Sequence, residues 1–383
     1  MKKYRSDSAR VKEVVAPSDN EVGDLEGLFP NNFNLIRHIL ALIVVVVHAR
    51  VLSREEVLTP LAGHLNSHYA VMGFFAISGF LITRSCLRSS SWWRYMGNRL
   101  RRLMPAYLAF LVVAVTLGSI FSVVGFAEYW SSYGTYRYIV ANLTFLQFLE
   151  PNLPGLFSSN PSASAVNGAL WSIRTEMFCY LLVPFFCWFA SRSGRRVASV
   201  TAMAASLLGV LLIGLAPLNI SKVIAHQLLI GVAMPIVCFV CGAALFYFWD
   251  FWRKQRIAVL SVTAILWVLH YTVPLGWAEN IVAPFMVSGL ALSCGVFLPY
   301  IGNWTPAGDL SYGIYIYHFP IVQTLVATGL YHSRPFASLG LTFAITITVA
   351  MVSWHFIESP ALSRSSYYLR LSKKHVATGR TRR

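Results

Sequence analysis

Arg37 and His48 are the first residues in the chain whose types and spacing could do chemistry. Both lie in one apolar run, FNLIRHILALIVVVVHARVL. Eleven residues are almost three helical turns, so the two side chains share a face about 16 Å apart along the axis, with Ala41 and Val44 on the same stripe. Ionisable groups are costly in lipid and mark function by default. A neutral histidine there can take a proton from a hydroxyl. The plainer reading is a snorkelling arginine and a hydrogen-bonded, pore-lining histidine. The spacing leaves both open.

Five further blocks carry polar groups into apolar surroundings. In GNRLRRLMPAY, residues 97–107, Arg99 and Arg102 share a face at i, i+3, Arg101 adds charge, and Pro105 and Tyr107 fall early in the third helix. Guanidinium forks suit phosphate, while ordinary anchoring at a membrane edge explains the same cluster. In NGALWSIRTEMFCYLLVP, residues 167–184, Trp171 heads a helix on which Ser172, Glu176 and Tyr180 line one face. Arg174 points away from Glu176 and is expected to snorkel outwards. In GDLSYGIYIYHFP, residues 308–320, Ser311, Tyr315 and His318 share a face, and His318 falls near mid-membrane. A catalytic or substrate-lining histidine and one satisfied within the protein are equally open there. In FFAISGFL, Ser78 and Gly79 are small enough for close helix approach. Glu358, in HFIESP, is expected as an end-cap or an ion-pair partner for a basic edge. Ser78, Tyr107, Trp171, Ser172, Tyr180, Ser311, Tyr315 and His318 are the candidate pore- or substrate-lining set.

The elements that must position these groups are read from composition. The chain has 383 residues, 56% hydrophobic and 12% charged, where a soluble domain carries about 25% charged residues. Runs such as VASVTAMAASLLGVLLIGLA are apolar on every face, which excludes the alternation of an outer-membrane barrel. The expected fold is an all-α, polytopic membrane bundle of about ten transmembrane helices. The spans fall near 34–52, 69–87, 103–125, 168–190, 197–216, 227–249, 257–275, 281–301, 308–331 and 337–357. Residues 1–30 read as a cytoplasmic tail, 31–360 as the transmembrane domain and 361–383 as a basic cytoplasmic tail.

With the N-terminus inside, 25 of the 31 Lys and Arg residues fall in cytoplasmic segments and five in outer ones, with Arg174 inside a span. That asymmetry puts both termini in the cytoplasm. It also assigns the net charge of +16 to topology and anionic lipid, so no nucleic-acid partner is expected. Cys238 and Cys241 form a CxxC without a second pair or a flanking histidine, so they read as small buried side chains and no metal site is expected. The longest connection, 126–167, lies outside. It holds IVANLTFLQFL, too short to span and hence a re-entrant or interfacial segment, then the loop PNLPGLFSSNPSAS. An ordered lid and a mobile exposed loop are equally open there.

Six blocks in order — Arg37-x10-His48, FFAISGFL, RLRRLMPAY, WSIRTE, SYGIYIYHFP and FIESP — resemble the acyltransferase-3 family of membrane acyltransferases. The likeness covers residues 33–360. That family includes bacterial enzymes that O-acetylate lipopolysaccharide, exopolysaccharide, Nod factors, peptidoglycan and some antibiotics. The resemblance implies a multi-pass protein of the bacterial cytoplasmic membrane. It implies acyl-CoA, usually acetyl-CoA, as co-substrate with no bound cofactor, and a carbohydrate or glycolipid hydroxyl as acceptor. It maps the essential pair onto Arg37 and His48, the acyl-CoA-binding arginines onto Arg99, Arg101 and Arg102, and a membrane-embedded acid onto Glu176, expected to orient His48. Arg174 departs from the usual pattern. Some relatives carry an esterase-like domain after the helices, and none is expected here. The competing class is a transporter or flippase for a lipid-linked glycan, which would leave the thioester intact.

Overall fold

A computed structural model describes residues 31–162, 165–214, 222–301 and 308–362. The two tails expected at the ends fall outside the described residues, apart from 361 and 362. Among the described residues there is no β-strand. The principal helices are α1 (Phe33–Ser53), α2 (Ser67–Leu87), α3 (Trp92–Phe121), α4 (Tyr133–Leu143), α5 (Trp171–Ser193), α6 (Arg195–Gly214), α7 (Met234–Tyr247), α8 (Arg256–Thr272), α9 (Glu279–Val296), α10 (Ser311–Ala327) and α11 (Pro335–Ser353).

Each of the ten expected spans coincides with a helix. Among the described residues, eight helical segments are long and apolar enough to cross a membrane. The two that fall short are α8 and α10, of 17 residues each. At 1.5 Å per residue they reach about 26 Å, just under a hydrocarbon core of about 30 Å. Two boundaries also differ from expectation. Helix α3 begins at Trp92, eleven residues before the expected start, so the arginine cluster and Pro105 lie well inside it. Its first third is polar and escapes a hydropathy reading, although Arg, Leu and Met are good helix formers. The segment IVANLTFLQFL is not one element: α4 ends at Leu143, and Phe145 takes a positive φ of 58°.

The chain divides into two compact units. The first comprises Met1–Ile36, Val71–Arg99 and Thr175–Gly302; the second comprises Arg37–Ala70, Leu100–Arg174 and Asn303–Arg383.

In the first unit, Val210, Leu229, Ala233 and Val237 form a buried apolar cluster. Cys238 is fully buried in α7, with its thiol 3.6 Å from the Pro284 carbonyl oxygen. The tightest feature is the crossing of α2 and α7. A Cβ on Gly79 would lie 1.9 Å from the Phe239 carbonyl oxygen, and one on Gly242 would lie 1.9 Å from that of Ala76. Glycine at both positions lets two backbones touch, which is the packing FFAISGFL suggested. Gly79→Ala is therefore expected to destabilise the protein by about 1–3 kcal/mol through overpacking. Gly97→Ala, in α3, meets nothing within 4 Å and is the control. Thermal unfolding in nanodiscs checks this; equal melting of the two variants would dismiss the close-packing argument.

In the second unit, α10 is the central element. Gly313 through Phe319 are all buried, so the helix is enclosed by protein rather than lipid. That explains how a helix carrying three tyrosines and a histidine is tolerated. Helix α1 contributes Ala41, Val44, Val45 and Ala49, all with no exposed surface. The long connection is packed onto this unit, the ordered of its two readings. Asn160 donates to the Gln323 backbone and side-chain oxygens at 2.9 and 2.8 Å, and Gln323 Nε2 donates to the Ser162 carbonyl at 2.9 Å. Gly155, at φ +66°, brings its backbone against Ser122, whose hydroxyl donates to the Pro154 carbonyl at 2.6 Å. A side chain at Gly155 would be strained and would strike that hydroxyl.

Candidate active site

The second unit holds two polar clusters on α1 and α10. The first is a buried ion network. Arg37, on α1, pairs with Asp309, just ahead of α10. Arg102, on α3, reaches Asp309 at 2.8 Å and Glu358 at 2.6 Å. Among the described residues, two guanidinium groups here face two carboxylates. The carboxylates are further satisfied by hydroxyls: Ser311 donates to Asp309 at 2.6 Å and Ser353 to Glu358 at 3.0 Å. Arg102 also lies over the rings of Tyr312 and Trp354, 5.3 and 5.7 Å from their centroids. His38 Nε2 accepts from the Leu310 backbone N–H at 3.2 Å, fixing the turn that carries Asp309.

The second cluster is a histidine pair. His48 Nδ1 lies 2.7 Å from His318 Nε2, and the rings are nearly parallel, 12° apart. The geometry dictates the tautomers. His318 Nδ1 faces two backbone carbonyls, Tyr315 at 2.8 Å and Ile314 at 3.2 Å. Carbonyls only accept, so this nitrogen carries the hydrogen. The Nε2 of a neutral His318 is then an acceptor, and His48 Nδ1 must donate to it. That leaves the lone pair of a neutral His48 on Nε2, which has no hydrogen-bond partner among the described residues. A chain of carbonyl, His318 and His48 thus presents a base with a fixed tautomer. His48 is half-buried and His318 wholly buried. The Phe319 and His48 rings meet at a steep angle, 76°, with centroids 5.3 Å apart.

The remaining expected residues divide. Ser172 and Tyr315 share a hydrogen bond of 2.7 Å, and Tyr315 also donates to the Ala169 carbonyl at 2.8 Å. They knit α10 to the start of α5 rather than line an open path. Tyr107 is buried, its hydroxyl on the Asn142 carbonyl at 2.9 Å and its ring stacked on Phe145. Trp171 stacks on His68 with centroids 6.1 Å apart.

In the first unit, Glu176 accepts from the Tyr180 hydroxyl at 2.7 Å and from Ser78 at 3.5 Å. The first of these is the i, i+4 stripe read from the sequence. Glu176 is the residue expected to orient His48; the hydrogen bond on His48 Nδ1 is made by His318. Arg99 is half-buried with its Nε unpartnered among the described residues.

The three cluster arginines therefore differ. Arg102 is locked in ion pairs, which corrects its expected role as a phosphate ligand: both terminal nitrogens already meet carboxylates. Arg101 is exposed on α3. Glu358 forms the ion pair expected of it. Asp309 went unrecognised in the sequence, yet it is the sole acidic residue between Glu279 and Glu358 and opens a helix whose residues Gly313–Phe319 are all buried.

One pocket in the second unit lies beside this site. It has a volume of about 120 Å³ and is lined by α4, the following loop and the start of α5. Gly168, on its wall, faces the Phe319 ring, since a Cβ there would come within 2.9 Å of it. Burial pushes the Tyr138 phenol in this wall above the usual tyrosine range, with Tyr107 and Tyr129 adding to it, so the group is a neutral hydroxyl.

Residues 31–355 match the acyltransferase domain of the acyltransferase-3 family. The chain belongs to that family. Among curated relatives, an O-acetyl transferase of Shigella phage Sf6 is 25% identical over 89% of this chain and 98% of its own length. Nodulation protein 10 of Rhizobium leguminosarum bv. viciae is 29% identical over 87% of this chain and 93% of its own. The peptidoglycan O-acetyltransferase OatA of Listeria monocytogenes is 24% identical over 79% of this chain, which covers 54% of that protein. No solved structure matches the chain. As an acyltransferase-3 protein with these relatives and eight segments long and apolar enough to span, the chain is a multi-pass membrane O-acyltransferase.

Proposed function

We propose that the protein transfers an acyl group, most simply acetyl, from cytoplasmic acyl-CoA to a hydroxyl of a carbohydrate or glycolipid at the bacterial inner membrane, with both chain ends in the cytoplasm. The observation that carries this reading is the His48–His318 pair, which leaves a lone pair on His48 Nε2 in a chain similar to O-acetyl transferases. The acceptor hydroxyl gives its proton to that nitrogen while its oxygen attacks the thioester carbonyl. The carbon–sulfur bond breaks as the tetrahedral intermediate collapses. The departing thiolate then takes the proton from the His48 imidazolium, so ester and free thiol are the products. His318 touches no reacting atom and acts as a positioning residue, the role expected of Glu176.

The donor's phosphates cannot enter lipid cheaply. Exposed Arg101 is the arginine of the cluster open to receive them. Arg101→Glu is expected to raise the acyl-CoA concentration for half-maximal rate about tenfold. Steady-state kinetics at varied donor concentration measures this. An unchanged requirement would make Arg101 a membrane anchor alone.

The reading as a whole is tested by two measurements. Deletion of the gene should remove O-acyl groups from surface or secreted glycans. The purified protein in nanodiscs should release free thiol from acetyl-CoA in the presence of those glycans. Glycan export lost with no thiol released would identify a transporter instead.

A further inference from the structure

Three buried side chains in the wall of this pocket carry a polar atom with no hydrogen-bond partner among the described residues: Tyr138 Oη, Asn142 Oδ1 and Gln147 Oε1. Their residues are 1%, 1% and 8% exposed. Buried polar groups are almost always hydrogen-bonded, so three orphans at one place call for a partner. The amide orientations are fixed, because Asn142 Nδ2 donates to the Tyr138 carbonyl at 2.9 Å and Gln147 Nε2 to that of Leu170 at 2.7 Å. The free atoms are thus two acceptors and one hydroxyl, a set that answers ligand O–H groups.

Two more wall residues narrow the chemistry. Trp171 offers an aromatic ring beside the acceptors. Arg174 lies over the Phe148 ring at 4.8 Å and has no carboxylate partner among the described residues. A guanidinium in that position, beside acceptors for hydroxyls, suits a molecule that carries hydroxyls and an anionic group together.

Resting on the reading above, we infer that this pocket is the acceptor subsite, in which Tyr138, Asn142 and Gln147 hold the hydroxyls of a sugar ring and Arg174 holds its carboxylate or phosphate. The subsite adjoins the base through Gly168 and Phe319, the ring that stands against His48. It also gives Arg174, the charged departure within the WSIRTE block, a task that snorkelling does not.

The test uses the full chain in nanodiscs and two probes, a glucuronate-containing disaccharide and its neutral glucose counterpart, with binding followed by microscale thermophoresis. The acidic probe should bind more tightly to the wild type. Tyr138→Phe removes only a hydroxyl with no protein partner, so melting should be unchanged while affinity for both probes falls about tenfold. Arg174→Gln should abolish the preference for the acidic probe and leave the neutral one unaffected. Unchanged binding in both variants overturns the subsite. Thiol release from acetyl-CoA is read in the same samples. Release without saccharide binding rejects the subsite and keeps the transferase reading; binding lost in Tyr138→Phe with no thiol released keeps the subsite and rejects the transferase reading.

Discussion

Replacing His48 with alanine is expected to slow acyl transfer about 10²- to 10⁴-fold, the range of a general base, with membrane insertion and melting temperature little changed. The more discriminating result concerns His318. His318→Phe keeps the aromatic volume but removes the acceptor that holds His48 Nδ1–H. His48 then loses its fixed tautomer and ring orientation, so the turnover number should fall about 10- to 100-fold. The acyl-CoA requirement should stay the same, since His318 meets neither substrate. His318→Gln can still accept from His48 through its amide oxygen and should recover part of the rate. The double variant should be no slower than His48→Ala alone, because the two residues act as one device. Rates that multiply across the double variant would show that the histidines act independently.

Asp309→Asn should cost about 3–5 kcal/mol of stability. The carboxylate is completely enclosed and faces Arg37 and Arg102 at once. Neutralising it leaves two buried guanidinium groups opposite the single carboxylate of Glu358, with water unable to compensate. Arg102→Met should be comparably harmful, since it strands Glu358 and leaves Asp309 with Arg37 alone. Combining the two should be milder than the sum, because the second change removes a charge that the first left uncompensated. Melting in nanodiscs across this cycle is the measurement. Additive losses would mean that the network is not electrostatically coupled.

These two clusters were unequally legible in the sequence. Arg37 and His48 stand out because each is an ionisable residue in an apolar run, and their spacing alone places them on one face. His318 was visible for the same reason. Its pairing with His48 was not, because it joins residues 270 positions apart. Hydropathy located all ten helices, yet it misjudged the start of α3, where Arg and Trp obscure a continuous helix. It located α10 as a span but could not show that the helix is enclosed by protein and so needs no uniformly apolar surface. Arg102 shows the limit of charge counting: a buried structural cation and an exposed anchor read alike until the carboxylates are located. The orphaned groups of Tyr138, Asn142 and Gln147 had no signal, because only a folded wall reveals which polar atoms are left over.

The length of α3 has a consequence for depth. Its 30 residues extend about 45 Å, some 15 Å beyond a typical hydrocarbon core. The apolar part, from Leu103 to Phe121, is close to one bilayer thickness by itself. The segment from Trp92 to Arg102 must then stand at headgroup level, where exposed Trp92 and Trp93 are at home. A helix, rather than a loop, therefore carries Arg101 at the lipid surface. A thicker or thinner bilayer is met by tilting of helices, so lipid chain length becomes a means of raising or lowering this cation with respect to water.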